Sequence, residues 1–258
     1  MRWAMIVLTL FLVFIQPVSA SVLYSAALSR LATIDLNNAS VTDIGATGMD
    51  RVASLAFGIT GELYAVAQNR LLILNRATGA STDVGATGFD RLAYIAFSPQ
   101  GVLYASAGNR LWTVDPNTAN KMEIGVTGLG VASIAFDATG ALFAAGDNRL
   151  WRINATTGAI SEIGVTGFGQ LTLFTLTSIA FDGNGELFAV ADNRLMRVNV
   201  NTGTPTDIGA TGLGRQASIA FGSNLVPEPE STTLVGLALV SMIITARNRR
   251  KGPVVKVQ

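Results

Sequence analysis

The sequence predicts an all-β chain, a five-bladed β-propeller of four-stranded blades. Three observations carry that expectation. An Arg recurs at Arg30, Arg70, Arg110, Arg149 and Arg194, with spacings of 40, 40, 39 and 45 residues. A Gly-x-Thr-Gly element recurs in step with it, at 45–48, 85–88, 125–128, 164–167 and 209–212. Each unit holds four short apolar runs separated by Gly, Asn and Asp turns. A fixed period of this length with four strand signals per unit marks a propeller array. One unit alone cannot bury both faces, so neighbouring units must stack.

The chain begins with Arg2, an apolar run from Trp3 to Ile15, and Gln16-Pro17-Val18-Ser19-Ala20. One basic residue, a short apolar core and a small-x-small site make a secretory signal peptide over residues 1–20. Passage through the Sec machinery and cleavage by signal peptidase after Ala20 are the expectation.

The array occupies residues 21–222, and its last unit shows the pattern in full. Ser178–Phe181 reads as a first strand, ended by Asp182-Gly183-Asn184-Gly185. Glu186–Ala191 reads as a second, turning through Asp192-Asn193-Arg194. Leu195–Asn199 reads as a third, turning through Asn201-Thr202-Gly203. Thr206–Ile208 reads as a fourth, leading into Gly209-Ala210-Thr211-Gly212. Gly and Asn supply the positive φ of tight hairpin turns.

The two ends of the array complement each other. The first unit starts at Val22-Leu23-Tyr24, a second strand with no Ser-Ile-Ala-Phe before it. That strand stands at the far end instead, as Ala217-Ser218-Ile219-Ala220-Phe221. It is expected to complete the first blade, close the ring and remove exposed sheet edges. In an up-and-down meander the Gly-x-Thr-Gly connections and the Asn-Arg turns lie on one face of the disc. That face is the more patterned one.

Composition narrows the chemistry. The chain has no Cys and no His. This excludes disulfides, thiol chemistry, Ser-His-Asp catalysis and His-ligated metals. Residues 21–230 hold 12 Arg and Lys against 17 Asp and Glu, a net of −5. A mildly acidic body argues against nucleic acid as a partner. No cofactor and no metal are expected.

Repeated residues are the first candidates for a site. The five Arg match five acids in the fourth strands: Asp43, Asp83, Glu123, Glu162 and Asp207. They are either intrablade ion pairs that fix register or an Arg ring that grips acidic sugars. Thr47, Thr87, Thr127, Thr166 and Thr211 sit inside Gly-x-Thr-Gly. They either cap the bend or form a ring of hydroxyls for a sugar. Asp35, Asn75, Asp115, Asn154 and Asn199 fit Asx capping of the next turn. Asp137 and Asp182 open turns that faintly resemble calcium loops but lack their length and terminal Glu.

One unit breaks the period with an apolar insertion at residues 170–176, including Leu171, Leu173, Phe174 and Leu176. It falls on the patterned face, as a contact site or as a plug over the channel mouth.

The body resembles secreted bacterial propellers of the NHL and gluconolactonase-like kind. The likeness lies in the hydrophobic-Ala-Phe, turn-Gly, Leu-Tyr/Phe-Ala and Asn-Arg-Leu succession. Enzymes of that kind commonly use metal-binding carboxylates and a His, and this chain has no His.

Beyond Phe221 the repeat stops. Residues 223–231 are a linker that contains Val226, Pro227, Glu228 and Pro229. Residues 232–251 hold an apolar run from Leu234 to Ala246 and then Arg247, Arg249, Arg250 and Lys251, with a tail at 252–258. The apolar run, read as a short helix, falls below the ~20 residues that span a bilayer comfortably. Basic residues after it place the propeller outside the cytoplasm. Val-Pro-Glu-Pro, an apolar helix and a basic cluster closely resemble the PEP-CTERM sorting signal. The resemblance implies a Gram-negative bacterium with an exosortase that acts at Pro227-Glu228-Pro229.

The expected protein is thus exported and transiently anchored in the inner membrane. It ends at the cell surface or in the extracellular matrix of a biofilm. There a non-enzymatic propeller binds exopolysaccharide or an envelope partner. Two alternatives stand beside this. One is a carboxylate-dependent propeller enzyme, a lyase or hydrolase of sugars or lactones. The other is a purely structural matrix protein.

Overall fold

The structure, a computed structural model, describes residues 21–89, 93–130, 132–168, 177–214 and 217–223. Blade 1 opens with β1 (Ser21–Ala27), β2 (Arg30–Ile34) and β3 (Val41–Ala46). Blade 2 comprises β4 (Ser54–Phe57), β5 (Leu63–Ala67), β6 (Arg70–Leu74) and β7 (Ser81–Ala86). Blade 3 comprises β8 (Ala93–Phe97), β9 (Leu103–Ala107), β10 (Arg110–Val114) and β11 (Lys121–Val126). Blade 4 comprises β12 (Ser133–Phe136), β13 (Leu142–Gly146), β14 (Arg149–Ile153) and β15 (Ile160–Val165). Blade 5 comprises β16 (Ser178–Phe181), β17 (Leu187–Ala191), β18 (Arg194–Val198) and β19 (Pro205–Ala210). The last strand, β20 (Ala217–Ser223), is the innermost strand of blade 1. All five sheets are antiparallel meanders, and the described residues contain no helix.

The ring closes as the sequence predicts. β20 pairs with β1 from Ser21↔Ser223 to Ala27↔Ala217. The strand runs two residues past Phe221 because β1 offers partners as far as Ser21.

The fourth strands also run longer than the sequence suggests, and the reason is a β-bulge. In blade 5 Leu195 faces Gly209 while Met196 faces Asp207, which leaves Ile208 as the extra residue. The same offset recurs in every blade. The strand therefore carries on through the first two residues of Gly-x-Thr-Gly. A bulge increases local twist and re-aims the side chains beside it.

The hairpins between second and third strands are tight. Asp192 and Asn193 have φ of 48° and 66°, and Gln68-Asn69, Gly108-Asn109 and Asp147-Asn148 match them. Positive φ at both central residues defines the type I′ turn, whose twist suits the flanking strands.

Five apolar cores lie between blades rather than within them. Each combines buried residues of two neighbours, as where Leu71 and Val66 of blade 2 pack with Ile95 and Leu103 of blade 3. An aromatic pair crosses each junction: Tyr24–Phe57, Tyr64–Phe97, Tyr104–Phe136, Phe143–Phe181 and Phe188–Phe221. Their centroids are 5.0–5.3 Å apart and their planes are tilted. Such pairs add ~0.5–1.5 kcal/mol beyond simple burial.

At the axis the first residue of an inner strand stitches blades together. The Ile95 amide donates to Ser54 Oγ, the Ile179 amide to Ser133 Oγ and the Ile219 amide to Ser178 Oγ, at 3.0–3.1 Å. In blade 3 the place of this Ser is taken by Tyr94, the second residue of β8, buried to 2% exposure. Burial holds its phenol well above the ordinary tyrosine value.

Candidate functional site

The five Arg are held by the five acids. Arg30 pairs with Asp43, Arg70 with Asp83, Arg110 with Glu123, Arg149 with Glu162 and Arg194 with Asp207. The register explains the match. Arg194 faces Ala210, and Asp207 faces Met196 two residues further along β18. The pair is diagonal, and the bulge between the two sites shapes it. Hydrogen bonds from the guanidinium lower the carboxyls of Asp43, Asp83 and Asp207 below their ordinary value. The same bonds raise Arg30, Arg70 and Arg194. All five pairs stand on the surface at 39–55% side-chain exposure.

The five Thr are buried, at 0–6% exposure. The Thr47 hydroxyl donates to the Ser29 carbonyl at 3.0 Å and accepts the Met49 amide at 3.3 Å. Thr87 and Thr211 bind Asn69 and Asn193 in the same way. In these three blades the hydroxyl clamps the blade connection to the neighbouring hairpin turn, while Thr127 accepts the Leu129 amide and the buried Thr166 hydroxyl has no partner among the described residues.

The two glycines of the element do different jobs. The last, as at Gly128 with φ 73°, takes a conformation that L side chains rarely adopt. The first lets two blades touch. A Cβ at Gly85 would lie 2.9 Å from the Thr118 carbonyl oxygen of the next blade. At Gly45, Gly125 and Gly164 the opposing carbonyls of Thr78, Thr157 and Thr202 come closer still.

Asp35, Asn75, Asp115, Asn154 and Asn199 each accept an amide two residues on, at 2.7–2.9 Å. These are Asx turns, as read. Asp137 and Asp182 use one carboxylate oxygen in the same way. Among the described residues no three His, Cys, Asp or Glu side chains gather in a metal-sized group. The other proposed sites lie outside the described residues. They are Ala20, the insertion with Leu171, Leu173, Phe174 and Leu176, and the C-terminal segment from Val226 to Lys251.

Two cavities on the ring bear on function. One lies on the axis, about 100 Å³, lined by the Leu/Ile-Ala-Phe residues of all five inner strands. It is fivefold and carries no ionisable side chain.

The other breaks the symmetry. It lies on the patterned face where blade 2 meets blade 3, and it measures about 300 Å³. Its walls are Phe89 and Trp112, 5.9 Å apart between centroids and nearly perpendicular. The Lys121 ammonium sits 4.4 Å from the Phe89 centroid and 5.1 Å from that of Trp112. It also donates to the Gly88 carbonyl. Arg110 and Gly108 complete the rim. The Trp112 indole N–H donates to the Ala107 carbonyl at 3.4 Å, which fixes the ring against β9. Such a cleft, aromatic with a few convergent polar groups, suits a small ligand.

Of this pocket, sequence reasoning singled out Arg110 alone. The signal was present in the departures from the repeat. The other junctions carry Met49 with Leu72 and Ser81, Leu129 with Trp151 and Ile160, Phe168 with Met196 and Pro205, and Leu213 with Ala32 and Val41. At these three positions only the junction of blades 2 and 3 combines two aromatics with a cation.

No protein-family model matches the chain, and no curated protein matches it either. Several solved structures share its shape. One is a symmetrical protein from work on de novo evolutionary emergence shaped by folding constraints. It has a TM-score of 0.56 and 16% identity, over 76% of this chain and 96% of that one. Another is a chain of the nidogen/laminin complex, with a TM-score of 0.53 and 13% identity, over 79% and 98%. A third, virginiamycin B lyase from Staphylococcus aureus, has a TM-score of 0.43 and 18% identity, over 70% and 62%. At these identities the first two likenesses show the fold alone.

Proposed function

We propose that this protein is an exported, non-enzymatic propeller that binds exopolysaccharide or an envelope partner. An exosortase would sort it to the cell surface or the extracellular matrix. The observation that carries the binding part is the blade 2–blade 3 pocket. Among the described residues it departs from the repeat, and the departing residues are aromatic and cationic. The repeated Arg and Asx residues have structural partners at every blade, and the hydroxyls of Thr47, Thr87, Thr127 and Thr211 bond within the blade connections. Export and sorting rest on residues 1–20 and 226–251, by their resemblance to a signal peptide and to the PEP-CTERM signal.

The ring carries its own closing strand and its own cores, so residues 21–225 form a sensible unit to test. That unit, incubated with the producer's exopolysaccharide, is expected to be retained. Absence of retention would sink the polysaccharide reading.

A further inference from the structure

We infer that the pocket between blades 2 and 3 takes an anionic sugar ring, a uronate unit of the polysaccharide. This rests on the binding reading above and sharpens it to a ligand class. Charge is the first argument. Among the described residues no carboxylate pairs with Lys121, while Arg110 is matched by Glu123. Among the described residues that line the pocket the ionisable groups are thus both cations, on a body that is negative overall. An ammonium has three donors. Lys121 gives one to the Gly88 carbonyl, and the rest can meet a carboxylate.

Shape is the second argument. Phe89, buried at 5% exposure, meets the half-buried Trp112 edge to face, so the open part of Trp112 forms an apolar wall against which Lys121 lies. The C–H face of a pyranose packs against such a wall while its carboxylate reaches Lys121. A compact inorganic anion would leave the wall unused.

The first central residue of the β9–β10 turn is Gly108, exposed, with no heavy atom within 4 Å of the position a Cβ would take. Its counterparts are Leu28, Gln68, Asp147 and Asp192, all exposed. Blade 3 thus lacks the side chain that other blades hold at this spot. In blades 4 and 5 that side chain is a carboxylate, which would repel an anion.

The same comparison supplies a variant that should fold. Asp147 and Asp192 adopt φ of 51° and 48°, close to the 55° of Gly108. Gly108→Asp therefore places a carboxylate at the mouth in a conformation Asp already holds twice in this ring. The test is calorimetric titration of residues 21–225 with a galacturonate trimer, a neutral galactose trimer and a sulfated galactose trimer. The uronate trimer is expected to bind about tenfold or more tightly than either of the others. Gly108→Asp should weaken uronate binding about tenfold and leave thermal stability unchanged. Lys121→Met should weaken it by a similar factor, because a charge-assisted hydrogen bond is lost. Equal binding of uronate and neutral trimers would overturn the inference, and so would uronate binding unmoved by both variants. A sulfated trimer that binds as well as the uronate would overturn the uronate assignment. Retention on exopolysaccharide without trimer binding would overturn the inference and leave the binding reading standing. Failure of both would remove both.

Discussion

Gly125 shows how a single residue sets the spacing of blades. Its φ is ordinary, yet a Cβ there would run into the Thr157 carbonyl of the next blade. Gly125→Ala must push two blades apart along a whole edge. It is expected to cost ~1–3 kcal/mol, the usual toll of overpacking. For a domain of this size each kcal/mol lowers Tm by ~2–4 °C. Gly130→Ala is the control, since nothing lies within 4 Å of its Cβ position. Calorimetry of both variants decides the matter, and equal melting would contradict the close-approach account. At this scale the sequence showed which residues recur, but not what each recurrence is for. Gly125 and Gly128 look alike in the repeat, yet one answers a neighbour's backbone and the other a positive φ. That difference is made by a partner some thirty residues away in the chain.

β20 is the element on which closure depends. It covers the inner edge of β1, places Ile219 to donate to Ser178 Oγ and sets Phe221 against Phe188. A chain that stops at residue 216 should lose all three and leave β1 with a bare inner edge. Its unfolding in urea is expected to be broad, with association at higher concentration. A sharp transition at the wild-type midpoint would show that the ring does not need this strand. Closure was legible in the sequence because the missing Ser-Ile-Ala-Phe and the surplus one are the same words. The bulges were not legible. A bulge adds one residue without altering the apolar pattern, so Asp207-Ile208-Gly209 reads equally well as a strand end. Only the register, with Leu195 on Gly209 and Met196 on Asp207, exposes it.

Across the whole molecule, three of the five surface ion pairs couple stability to pH. Asp43, Asp83 and Asp207 lie below the ordinary value of 3.8 because of their Arg partners. The unfolded chain therefore binds protons before the folded ring does. The stability these groups contribute is fully present above 3.8 and is lost as pH falls through their lowered folded values. Urea midpoints measured from about pH 6 to about pH 2.5 should decline on that acid limb. Replacing Arg30, Arg70 and Arg194 by Gln should flatten the decline; an unchanged slope would dissociate the pairs from acid sensitivity. The whole-molecule view also explains why the pocket escaped notice in the sequence. A repeat draws the eye to what recurs, whereas Phe89, Trp112 and Lys121 matter because they do not. They come from a blade connection and two different strands, and only the stacking of blade 2 on blade 3 brings them together. The central claim is that this unlike junction is where the ring holds its ligand. Its most direct test is retention of residues 21–225 on immobilised exopolysaccharide of the producer, beside the Trp112→Ala/Lys121→Met variant. The account predicts that the wild-type ring is held and the folded variant washes through. Equal retention of the two would contradict it.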